Sequence, residues 1–182
     1  GTTVTDDSLS EISLLPLEQL HLGRTPITDR GLRHLSGLPK LWELSLADTK
    51  ITGAGLVHMA RLSRLKYLYL NGTGFNDESL FEISHLPLTV LVLDNTRIGD
   101  EGLRSVGKFA NLEYLSLSKT RVSNRGLTEL HGLASLSQLY LSGTQVTQEG
   151  VTELKCLKNL SYLDLTETGI TSDQIRPLQQ QL

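Results

Sequence analysis

Apolar positions along this chain recur in one phrase, LxxLxLxxT, which starts at Leu17, Leu41, Leu65, Leu88, Leu112, Leu136 and Leu160, in steps of 23 or 24 residues. Each copy closes on a threonine: Thr25, Thr49, Thr73, Thr96, Thr120, Thr144 and Thr168. Leucines at positions 4 and 6 alternate with strand period, which turns them inward and leaves positions 3, 5 and 7 pointing out. The phrase therefore predicts a short strand. Position 11 is apolar again, as at Ile51, and position 12 offers a helix cap at Thr28, Thr52, Asn76, Ser123, Thr147 and Thr171, with Gly99 weaker. Positions 16, 19 and 22 are apolar at spacing three, as in Leu32, Leu35 and Leu38 or Leu103, Val106 and Phe109. That stripe predicts a short helix facing the strand's leucines, and Pro16, Pro39 and Pro87 sit just past it, where proline ends a helix.

A unit repeated at this period stacks on copies of itself. Strands then lie side by side as a parallel sheet on one face, with helices on the other. Helices are wider than strands, so the stack curves with its sheet on the concave side. Acidic residues in the first helical turn, Asp29, Asp77, Glu78, Asp100 and Glu101, suit the positive helix end. Small residues at position 15, Gly31, Gly55, Gly102, Gly126 and Gly150, let one coil pass close to the next. Each closing threonine is expected to bond backbone groups of the neighbouring turn, and with Thr2 the series becomes a buried ladder of eight.

Thr2, Val4, Asp6 and Leu9 align with Thr25, Ile27, Asp29 and Leu32, so the chain opens midway through a repeat. The expected organisation is one domain over 1–182: a partial repeat at 1–16, then seven repeats, all as a piece of a longer protein. Leu20 and Leu22 would lie at an unpaired edge. At the far end Pro177 and Gln179 to Gln181 are expected to form a polar closing turn.

The extended pattern LxxLxLxxTxITDxGLxxLxxL resembles the leucine-rich repeat family over essentially the whole chain. Its TxITDxGL half is similar to repeats of bacterial proteins and of F-box-type receptor subunits of ubiquitin ligases, although those often carry cysteine or asparagine where this chain has threonine. The resemblance implies an α/β fold, a right-handed solenoid or horseshoe with a parallel β-sheet on the concave face and short helices on the convex face. It also implies a binding surface, usually for protein, without identifying the partner.

Function should sit where the copies differ. All five tyrosines and the single tryptophan lie in the strand phrase: Trp42 at position 2, Tyr67, Tyr114 and Tyr162 at position 3, Tyr69 and Tyr140 at position 5. Val90 and Val92 take positions 3 and 5 of the fourth full repeat. In a parallel sheet Tyr67, Val90 and Tyr114 form one row, with Tyr69 and Val92 beside it. Aromatics bury about 150 to 250 Å² each when covered, so Trp42, Tyr67, Tyr69 and Tyr114 at about half coverage offer on the order of 400 Å² to a partner whose share of a standard interface is about 800 Å². Strand propensity alone also favours such residues. Arg97, Lys119 and Arg121, with Lys50 further along, form a basic rim after the strands that could steer an acidic partner or simply be solvated beside Asp48 and Asp94.

With 17 basic and 20 acidic residues the net charge is −3, which argues against a nucleic-acid binder or a polybasic membrane patch. No run of about 18 apolar residues is present to insert in a bilayer. Cys156 is the only cysteine, so neither an internal disulfide nor a cysteine zinc site can form. The absence of cysteine-closed ends and of a signal segment leans toward an intracellular setting. His34 and His58 share position 18 on neighbouring helices, about 8 to 10 Å apart, without a third ligand, so no metal is expected. Gly53 and Gly55 lack the third glycine of a dinucleotide loop. No nucleophile stands beside a histidine, and an open sheet encloses no pocket. The expectation is a non-catalytic protein–protein interaction module without cofactors, monomeric in isolation. Recognition of a small ligand, glycan or lipid in the concavity is the alternative, and a structural spacer is the third.

Overall fold

A computed structural model describes residues 4–171, 173 and 174. Seven three-residue strands, β1 (Gln19–His21), β2 (Glu43–Ser45), β3 (Tyr67–Tyr69), β4 (Val90–Val92), β5 (Tyr114–Ser116), β6 (Gln138–Tyr140) and β7 (Tyr162–Asp164), form one sheet in chain order. Every neighbouring pair is parallel and in the register of the repeat, so Leu20, Leu44, Leu68, Leu91, Leu115, Leu139 and Leu163 form one row. Those leucines point into a continuous core with Leu46, Ile51, Phe75, Leu103 and Phe109, and all but the end residues Leu20 and Leu163 are essentially inaccessible. The fold is thus an open parallel solenoid. At the β1 edge Leu20 is half-buried while Leu22 keeps only 3% exposure.

Two further ladders extend the sheet. The residue at position 8 has φ between 53° and 69° in all seven repeats, at Arg24, Asp48, Gly72, Asn95, Lys119, Gly143 and Glu167. That left-handed turn sends the position-8 N–H to the next coil, as in Lys119 N to Ser142 O at 2.7 Å. Beyond the turn, the position-10 N–H reaches back to the previous coil, as in Arg97 N to Phe75 O and Arg121 N to Ile98 O, both 2.8 Å.

The threonines depart from expectation. Each hydroxyl donates to the position-6 carbonyl of its own coil, at 2.6 to 2.7 Å from Thr25 to Thr168. A short hydroxyl reaches only three residues back, where a longer asparagine amide could span to the adjacent turn. The threonines form a column of separate clasps, buried from Thr49 to Thr144 and half-buried at Thr25 and Thr168, not a ladder between coils. Thr2 and the polar closing turn lie outside the described residues.

The convex segments are tighter than regular helices. Leu56–Met59 and Asp77–Ile83 are 3₁₀ turns, Asp29–Leu32, Asn124–Leu127 and Gln148–Val151 begin as α-helix and tighten to 3₁₀, and Asp100–Val106 is the longest α-helical run. Short pieces of this kind suit 3₁₀ geometry. Among the position-12 caps, Thr28 and Ser123 accept from the N–H two residues on.

Cohesion between the convex turns comes from position 13. Asp29 accepts from Thr52 Oγ1 (2.6 Å), Thr52 N (3.2 Å), Gly53 N (3.1 Å) and Gly55 N (3.2 Å) of the next coil. Asp6 does the same for Thr28 and Asp100 for Ser123, while Asn124 accepts from Thr147 N and donates its amide N–H to Thr147 Oγ1. These side chains, expected only to complement helix ends, are staples between coils. The position-15 glycines make room for them: a Cβ on Gly31, Gly102, Gly126 or Gly150 would lie 2.2 to 2.5 Å from the carboxylate or amide oxygen of Asp6, Asp77, Asp100 or Asn124. Position 13 carries glycine at Gly53, and there the next coil has Ser79 at position 15, its hydroxyl bonded to Asn76 Oδ1 at 2.9 Å.

Candidate functional site

Strand register places Tyr67, Val90 and Tyr114 in one row, flanked by Glu43 and Gln138, and Tyr69, Val92 and Ser116 in the next. Tyr140 and Tyr162 extend them on β6 and β7. The rings zigzag between rows: Tyr114 to Tyr140 centroids are 5.0 Å apart and Tyr140 to Tyr162 4.9 Å, tilted by 36° and 34°. At the other end Trp42 meets Tyr67 edge-on at 5.3 Å. Offset and edge-on pairs of this kind are the favoured aromatic geometries. Trp42, Tyr67, Tyr69, Val90, Tyr114 and Tyr140 are half-buried and Tyr162 is 49% exposed.

Val92 is different. It keeps only 9% exposure beside the larger Tyr69 ring, so it is the floor of the wall and not a projecting anchor. A polar side chain there would be desolvated. Ser116 beside it is 3% exposed, and Asp94 Oδ1 accepts both its hydroxyl and Ser118 N (2.8 Å). Taking about a quarter of roughly 200 Å² for each of five partly buried rings and half for Tyr162, the area left is on the order of 350 Å², which is less than the four-residue estimate from sequence.

Electrostatics follow from this crowding. Burial pushes the Tyr114 phenol up to about 12, with Tyr140, Asp94 and Tyr69 adding to the shift. The Tyr69 phenol is also raised, first by burial and then by Glu43. Both hydroxyls remain neutral donors throughout the physiological range. Toward β1 the face turns polar: Glu43 accepts from Gln19 Nε2 (3.1 Å) and pairs with His21 (3.0 Å).

The rim residues Arg97, Lys119 and Arg121 are all exposed. Arg97 and Arg121 sit on adjacent coils at position 10, whereas Lys119 occupies the left-handed turn and reaches Glu167 at 3.8 Å. The remaining histidines are dispersed: His85 bonds Ala60 O (2.8 Å), His131 pairs with Glu153 (3.2 Å) and His34 accepts from Arg33 Nε (3.1 Å). Among the described residues no helix is long and apolar enough to cross a membrane. An open groove of about 570 Å³ lies at the strand-start edge beside Trp42 and Tyr67. Sequence reasoning missed it, although Arg64 and Lys66 flanking a core leucine were a visible signal.

Comparison with known proteins agrees with this architecture. The family described as "Leucine rich repeat" matches residues 87–146. Internalin C2 from Listeria monocytogenes str. 4b F2365 superposes with a TM-score of 0.65 at 25% identity, over 96% of this chain and 80% of its own. A TDR receptor superposes at 0.62 and 22% identity, a likeness of fold alone, over 93% of this chain and 30% of the receptor. No curated protein sequence matches the chain. The chain has the leucine-rich-repeat fold, and residues 87–146 match the family's own pattern. Repeats of this class form protein-interaction modules and are typically non-enzymatic.

Proposed function

We propose that the chain is a rigid, non-catalytic platform that binds a protein on its concave sheet. Trp42, Tyr67, Tyr69, Val90 and Tyr114 are the anchors, Tyr140 and Tyr162 extend the contact, Val92 supports them from beneath, and Arg97, Lys119 and Arg121 guide the approach. The observation that carries this reading is the aromatic wall continuing across β3 to β7 on the outward face of the sheet. Exposed contiguous apolar surface of this kind commonly marks an interaction site, and tyrosine and tryptophan are the types enriched at hot spots. Because the rings already rest on one another, docking orders few side chains and loses little entropy.

The test uses affinity purification with quantitative mass spectrometry on wild type, Tyr69→Ala, Tyr140→Ala and a convex control, Arg104→Ala. Proteins enriched by wild type should be lost from both tyrosine variants by more than about 1 kcal/mol of binding free energy and kept by the control, with melting curves unchanged. Wild-type enrichment by both tyrosine variants would reject the concave site.

A further inference from the structure

The groove at the strand-start edge is lined by Trp42, Ser63, Arg64, Lys66, Tyr67 and Pro87. It opens beside the return loop of the repeat 65–87, which at 23 residues is one shorter than its neighbours and brings Pro87 straight to Leu88. Two cations and three apolar or aromatic surfaces line it, and no carboxylate does. Arg64 and Lys66 are exposed, and neither forms an ion pair among the described residues. Arg104 and Arg125, by contrast, pair with Glu101.

We propose that this groove takes a carboxylate-bearing segment of a protein partner, with an apolar side chain against Trp42, Tyr67 and Pro87 and flanking acidic side chains on Arg64 and Lys66. The inference rests on the protein-binding reading above and extends it around the edge of the sheet, since Tyr67 belongs to both surfaces. The volume falls within the range of about 300 to 1,000 Å³ typical of ligand sites, enough for a few side chains. An inorganic anion would pair with the cations but leave the aromatic faces uncovered. A neutral apolar ligand would desolvate two charges without a partner. Arginine forks carboxylates in bidentate geometry, and both pairings are charge-assisted.

Trp42 is the only tryptophan and lines the groove, so its emission responds to occupancy there. The probe is a hexapeptide carrying a phenylalanine–leucine pair between glutamates, titrated into the full chain beside its glutamine counterpart and sodium sulfate. The expected result is a saturable change in Trp42 emission with the acidic peptide, at least about tenfold weaker with the glutamine peptide or with Arg64→Glu/Lys66→Glu. Arg104→Ala, on the convex side and outside both surfaces, should bind the peptide as wild type does, and circular dichroism checks that each variant is folded. No response up to about 1 mM, equal binding of the glutamine peptide, unchanged affinity after charge reversal, or an equal response to sulfate alone would overturn the proposal. Charge reversal probes the groove and Tyr140→Ala the concave wall, so failure of one reading is distinct from failure of the other.

Discussion

Replacing Asp29 by alanine removes the acceptor of four hydrogen bonds that join two coils. Hydrogen bonds to a charged group contribute about 1.5 to 3 kcal/mol each when buried, and neutral ones about 1. Here Thr52 is exposed and Gly53 and Gly55 buried, so water replaces part of the loss at the first and little at the others. Four bonds at about 1 kcal/mol, discounted for shared ordering of one side chain, give a loss of about 3 kcal/mol. For a chain of this length that corresponds to a fall of roughly 6 to 12 °C in melting temperature. Asp29→Asn keeps an oxygen for the backbone donors, as Asn124 does for Thr147 N at 2.8 Å, and should cost only about 1 kcal/mol. Calorimetry gives the overall change, and hydrogen exchange should localise it to the coils on either side, since stability in a linear array is a sum over neighbours. Equal effects of alanine and asparagine, or a loss below about 0.5 kcal/mol, would refute the staple.

Completing the position-13 series by Gly53→Asp should destabilise the chain, because Gly53 has φ +107° and a Cβ there would lie 2.1 Å from Ser79 Oγ. Gly53→Asp/Ser79→Gly should recover more than about 1 kcal/mol of that loss in a double-mutant cycle by chemical denaturation. Tyr114, raised to about 12, should ionise last of the tyrosines in an absorbance titration. Its folded value exceeds the unfolded value of about 10, so its contribution to stability is complete below pH 10 and is lost as pH rises through 12. Tyr114→Phe should flatten stability over that interval, and an unchanged pH profile would count against the shift.

Much of the architecture was legible because the apolar phrase fixes strand, inward face and register together: with a constant repeat the pairing of Leu68 with Leu91 and of Tyr67 with Val90 follows from counting. The one short repeat does not disturb this, since its missing residue falls in the return to the strand. What counting could not supply is side-chain reach. Thr49 and its counterparts bond within their own coil because the hydroxyl is short, Val92 is covered because it lies low beside the larger Tyr69 ring, and Asp29 bridges coils because Gly55 leaves the space. Position 8 was equally hidden. Arg24, Lys119 and Glu167 give no compositional hint of a left-handed turn, which there is imposed by the ladder it feeds.

The joints of this array are unequal. Between the coils that begin at Leu41 and Leu65, glycine and serine stand where the preceding joint has a carboxylate pressed on glycine, so that joint is held by its backbone ladders and apolar packing without the acidic clamp. Under a pulling force along the axis, this joint should open before the two beside it, where Asp29 and Asp77 bond the next coil. Trp42 and Tyr67 span the same joint on the opposite side, which makes the lone indole a natural optical gauge of that separation.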